Sequence, residues 1–207
     1  AAAEWAAVHW DDDAAREAFA SLSVFFFVHG EHEGGETFER IVAAQQQGGI
    51  TGGTLQSALV YRARSAAWLG YDERCEQIAR ECLSQVRETR LTAEIGSCLL
   101  ALGTFACHRD DYPVAETCLA EAAEVFKTLG DPLGSGASFA WLGFARMQVD
   151  DLAGARAAYE AGYATADESR NPLFRAYLLS KLGLLADAEG DYRTAQRFHL
   201  SAQDLFT

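Results

Sequence analysis

The stretch Ala101 to Pro132, ALGTFACHRDDYPVAETCLAEAAEVFKTLGDP, decides how the rest of the chain is read, because its pattern returns forty residues later and again forty after that. Leu102-Gly103 recurs as Leu142-Gly143 and Leu182-Gly183, Asp111-Tyr112 as Asp151-Leu152 and Asp191-Tyr192, and Ala115 as Ala155 and Ala195. Asp131-Pro132 recurs as Asn171-Pro172. A fixed period between 20 and 50 residues is the mark of a repeat architecture, in which no unit buries its apolar face alone.

Counting back by forty from Gly190 gives Asp150, Asp110, Gly70 and Gly30, each at an interruption between two apolar-periodic stretches. Each unit reads helix, tight turn, helix. Leu99, Leu102 and Ala106 on the first helix, and Ala115, Leu119 and Ala122 on the second, keep the spacing of three and four of one buried face. The Gly or Asp at the interruption suits a short helix–helix connection. Between units, Leu129-Gly130-Asp131-Pro132 supplies a C-terminal cap, an N-cap and a first helical residue in turn.

Leu99-x-x-Leu102-Gly103 with Ala115, Leu119 and Ala122, then Phe139-x-x-Leu142-Gly143 with Ala155, Tyr159 and Gly162, then Leu179-x-x-Leu182-Gly183 with Ala195, His199 and Ala202, resemble the tetratricopeptide repeat. Two departures stand out. The aromatic three residues after the Gly is replaced by Ala106, Arg146 and Ala186, and the closing Pro by Lys127 and Asp167, so the second helix runs on for another turn or two. The forty-residue period and the Leu-Gly-Asp-Pro connector are similar to the tetratricopeptide arrays at the C-terminal end of bacterial signal-transduction ATPases and of LuxR- and SARP-type transcriptional regulators.

The resemblance implies an all-α fold, a right-handed α-α superhelix of about five helix-turn-helix repeats near 14–50, 54–90, 94–130, 134–170 and 173–207, with 1–10 the end of a preceding helix. One solenoid domain over 1–207, part of a larger protein, is the expectation. In such a superhelix the first helices line a concave face. The positions that enter it are Val24, Phe27 and Val28; Tyr61, Arg64 and Trp68; Thr104 and His108; Trp141, Phe144, Met147 and Gln148; and Tyr177, Lys181 and Leu184. Chaperone-binding members hold a terminal carboxylate with a Lys and an Asn. The matching positions, Val60 and Arg64, Leu100 and Thr104, Ala140 and Phe144, and Ser180 and Leu184, do not make that clamp.

Composition narrows the partners. The formal charge is -13, from 17 Lys and Arg against 30 Asp and Glu, which argues against direct nucleic-acid binding. The acidity gathers at the N-terminal end, where residues 1–50 hold two Arg against nine acids. The five cysteines, Cys75, Cys82, Cys98, Cys107 and Cys118, form no C-x-x-C pair and read as reduced thiols of a cytoplasmic protein; Cys75 and Cys82 fall on small-residue packing positions. The most apolar run, Val24 to Val28, is far too short to span a bilayer, so no membrane is expected.

Other motifs resolve into ordinary structure. Asp11-Asp12-Asp13 reads as an N-cap before a helix carrying Phe25-Phe26-Phe27. The turn His29-Gly30-Glu31-His32-Glu33 has neither zinc-protease order of ligands, and QQQGGITGGT at 45–54 lacks the Lys-Ser/Thr of a phosphate loop. No nucleophile, base and orienting acid stand in a catalytic order, so neither an enzyme nor a cofactor or metal site is expected. An aromatic groove with few cations suits an amphipathic helix, an extended peptide or a neighbouring domain, and the alternative occupant is a small inducer. Some of the aromatics would instead pack between adjacent first helices. Leu200, Leu205 and Phe206, which no repeat follows, point to a homodimer through the C-terminal repeat.

Overall fold

The computed structural model describes residues 73–89, 92–168 and 171–205. They form seven α-helices and, among the described residues, no strand: α1 (Glu73–Thr89), α2 (Thr92–His108), α3 (Tyr112–Leu129), α4 (Pro132–Gln148), α5 (Leu152–Glu168), α6 (Pro172–Ala188) and α7 (Tyr192–Asp204). The chain divides into two compact units, Ala1–Phe105 and Ala106–Thr207. Expectations for the first two repeats' remaining segments, including the acidic triplet, the 29–33 turn and the 45–54 connector, lie outside the described residues.

Three turns are built alike. After α2, α4 and α6 the residue at the interruption, Asp110, Asp150 or Gly190, is left-handed, with φ of 59°, 63° and 79°. That conformation lets the next N–H reach back over the helix end: Asp111 N donates to Ala106 O at 2.9 Å, Asp151 N to Arg146 O at 3.0 Å and Asp191 N to Ala186 O at 2.9 Å. The same aspartates then accept from Ala115, Ala155 and Ala195 N through their carbonyls. Asp tolerates this region better than most residues with a Cβ, which is why it can alternate here with Gly.

The connectors obey the same logic. Gly130 is left-handed at φ 69°, and its N–H reaches Lys127 O at 3.1 Å. Asp131 caps α4 through Oδ1, accepting from Leu133 N at 3.0 Å and Gly134 N at 2.9 Å, with Pro132 at the helix start. Asn171 caps α6 by accepting from Phe174 N at 3.1 Å. As the missing Pro implied, α3 continues past Lys127 to Leu129.

In the N-terminal unit, α1 meets α2 through buried Cys82, Val86 and Cys98, with Leu83 and Ile95 against them. Residues 96–107 of α2 are all buried, not the single stripe that the spacing of Leu99, Leu102 and Ala106 predicts. A segment with no charged residue, GSCLLALGTFAC, meets no charge-desolvation penalty for burial on every side. In the C-terminal unit α3 packs on α4, α4 on α5, α5 on α6 and α6 on α7. Its core joins Ala140, Ala155, Tyr159, Phe174, Leu178, Leu182 and Leu185. The small residues sit where helices cross. A Cβ built on Gly143 would lie 2.5 Å from the Tyr159 ring, and one on Gly183 2.4 Å from the His199 ring, the same pair forty residues on.

The thiols are core atoms. Cys82, Cys98 and Cys107 are free and buried. Burial pushes the Cys82 thiol from 9.0 up to about 11 and Cys107 up to about 12, and raises Cys98 as well. Because the fold favours the protonated thiol, this contribution to stability is whole below about pH 9 and is lost as pH rises through about 11 to 12. Denaturant midpoints measured from pH 8 upward should fall across that window. Alkylation followed by peptide mass should find these three at least about tenfold slower than in denaturant at pH 8; equal rates would contradict their burial.

Candidate functional site

The first helices α2, α4 and α6 carry the described part of the expected groove. On α4, Trp141 and Phe144 are half-buried and meet edge to face, with ring centroids 5.6 Å apart at 83°. His108, exposed at the end of α2, closes on the other edge of Trp141 at 5.5 Å and 68°. These are favourable aromatic geometries, so three residues from two helices form one cluster with rings still partly open to solvent. Gln148 is exposed beyond it.

Met147 turns toward the core instead. It packs against the cluster around Tyr159, whose hydroxyl donates to its Sδ at 3.5 Å. Tyr177 on α6 is half-buried, lies nearly parallel to Phe174 at 6.1 Å and has its phenol pushed above the ordinary range by burial. Lys181, one turn on, is half-buried with Nζ 5.0 Å from the centre of the Tyr177 ring. Leu184 is 48% exposed.

Thr104 needs correcting. It is fully buried and its hydroxyl donates to Leu100 O at 2.8 Å, so it offers no side chain to a groove. The reason is the all-round burial of α2, which the apolar composition around it carries and the positional rule does not. Tyr61, Arg64 and Trp68 lie outside the described residues, as do Val24, Phe27 and Val28.

Arg146 was legible only as a departure from the repeat pattern. Its guanidinium donates twice to Glu116 Oε1 on α3, from Nε at 3.0 Å and from the Nη2 nitrogen at 2.9 Å, and once to Gly154 O at the start of α5, at 3.2 Å. One side chain thereby joins α3, α4 and α5. Arg156 on α5 pairs with Glu189 after α6, the same kind of tie with the charges exchanged. Beside Arg146, a cavity of about 150 Å³ is lined by Tyr112, Pro113, Glu116, Ala145, Arg146 and Val149. Tyr112 donates to Asp110 Oδ1 at 2.5 Å, which lifts its phenol to about 12.

No group of three or more His, Cys, Asp or Glu side chains among the described residues is placed to hold a metal ion. None of the described helices is long and apolar enough to cross a membrane.

Among the described residues these features define an all-helical fold whose turns and helix crossings recur every forty residues. No protein-family model matches the chain, and no curated protein matches it. Among solved structures, the crystal structure of BtubC (BKLC) from P. vanneervenii is similar, with a TM-score of 0.67 over 99% of this chain and 86% of that one. Identity between the two is 16%, so the likeness speaks for a shared helical fold and for nothing beyond it.

Proposed function

We propose that this chain is a non-catalytic interaction domain, a tetratricopeptide-type superhelix of a cytoplasmic bacterial regulatory protein, which holds a peptide, a helix or a neighbouring domain along the first helices of its repeats. The single observation that carries the reading is the His108–Trp141–Phe144 cluster, three rings on the ends and faces of first helices, packed edge to face yet not closed over. Aromatic anchors of this kind dominate the energetics of protein recognition. The cavity beside Arg146, at about 150 Å³, is about half the smallest ordinary ligand pocket of roughly 300 Å³ and so does not favour a small inducer there.

The test is a selection. Random dodecapeptides displayed on phage and panned on the full chain should yield binders whose affinity falls at least about thirtyfold in the Trp141→Ala, Phe144→Ala double variant, since each anchor contributes on the order of 1–2 kcal/mol. Helical circular dichroism should stay as in the parent, because both rings are only half-buried. Undiminished binding would remove this cluster from the interaction, and a selection that yields nothing would sink the reading altogether.

A further inference from the structure

We propose that Lys181, with Tyr177 beside it, is an anion subsite of the groove, taking a side-chain carboxylate of an acidic peptide whose neighbouring apolar side chain lies against Trp141 and Phe144. This rests on the interaction reading above and names the chemistry of the partner.

The chain carries 30 acids against 17 basic residues, and several of its cations pair with carboxylates. Arg80 pairs with Glu76, Lys127 with Glu124, Arg146 with Glu116 and Arg156 with Glu189. Lys181 does not. Among the described residues no carboxylate lies within 4.0 Å of its Nζ, which instead stands 5.0 Å from the centre of the Tyr177 ring. A ring face returns part of the hydration that a half-buried ammonium gives up, and a carboxylate returns far more. Burial also lowers the Lys181 pKa from 10.5, the direction expected of an ammonium short of counter-charge.

Register supplies the second half of the ligand. Forty residues before Lys181 stands Trp141, and forty before the exposed Leu184 stands Phe144. Both pairs lie on first helices, and α4 touches α6. Neighbouring helices stand on the order of 10 Å apart, about three residues of extended peptide. A carboxylate over Lys181 therefore leaves an apolar side chain two to four residues away within reach of the Trp141 and Phe144 rings. The positions at which a terminal-carboxylate clamp would stand here, Ser180 and Leu184, carry no cation, which points to a side-chain carboxylate rather than a chain end.

The experiment uses the peptides selected on the full chain, synthesised with amidated C-termini so that only side-chain carboxylates remain. They should be enriched in Asp or Glu, and Lys181→Met should weaken them at least about tenfold, while Lys181→Arg stays within about threefold. Replacing the peptide's acid by its amide should cost the parent protein the same factor and cost Lys181→Met nothing further. Peptides that depend on Trp141 and Phe144 but are indifferent to Lys181→Met and to amide replacement would overturn the subsite and leave the groove standing. Restored binding on freeing the peptide C-terminus would assign the anion to a chain end and overturn it as well. If Lys181→Met did not fold, the amide replacement against the parent protein would decide alone.

Discussion

Tyr159→Ala should lower the stability of the chain by about 3–5 kcal/mol, and Gly143→Ala should destabilise it although the same change at Gly183 does not. Tyr159 is 1% exposed and its ring lies across Gly143, where a Cβ would stand 2.5 Å from Cε1 and 2.6 Å from Cδ1. Neither partner can move: the ring is enclosed by the core, and its hydroxyl is held against Met147. An added methyl there costs about 1–3 kcal/mol in overpacking and recovers about 1 kcal/mol of helix propensity at most, so the net is a loss. At Gly183 the obstacle is His199, whose side chain is 42% exposed and can swing outward, leaving the propensity gain of up to about 1 kcal/mol to decide the sign. The double variant Gly143→Ala, Tyr159→Ala should lose less than the sum of its parts, because the new methyl occupies space the ring vacated. Denaturant melts of the four variants check this; equal effects of the two glycine changes would mean that the enclosure of the facing ring does not decide the outcome.

Local structure was legible in the sequence because it is local chemistry. Gly130, Asp131 and Pro132 each do at the α3–α4 junction what their backbone preferences dictate, and the departure at Lys127 foretold the longer second helix. What the spacing rules missed depended on several segments at once. Thr104 lies at a groove position of the pattern, yet α2 is buried on every side and its hydroxyl turns back onto Leu100 O. Met147 counts as a groove residue by position and packs into the core by contact. Arg146 stood out as the wrong residue for its place, but that it would tie Glu116 to Gly154 needs the distance between residues thirty apart, which no one-dimensional pattern contains. The Trp141 and Phe144 pairing is intermediate: their spacing of three put them on one helix face, while the edge contact from His108 depends on how α2 ends.

The junction between repeats carries the other large effect. Phe126 is 2% exposed in the last turn-and-a-half of α3, and a Cβ on Gly134 would lie 2.4 Å from its Cδ1, so the ring covers the first turn of α4 as closely as backbone allows. Its own carbonyl accepts from Asp131 N at 2.9 Å, which fixes the residue that caps α4. In the tetratricopeptide pattern that the sequence resembles a Pro would close the second helix one residue later; here Lys127 continues the helix to Leu129, and Gly130 is left-handed after it. Phe126→Ala should therefore cost about 3–5 kcal/mol, whereas Phe126→Leu, which refills most of the space, should cost about 1–2 kcal/mol. Gly130→Ala separates conformation from packing, since nothing lies within 4 Å of its Cβ position and only the left-handed backbone is strained, a loss of about 1 kcal/mol. Hydrogen exchange should place the weakened amides of Phe126→Ala in the end of α3 and the start of α4. Loss confined to α3 alone would show that the ring does not govern the junction, and that the stacking angle is set by the Asp131 cap and Pro132 instead.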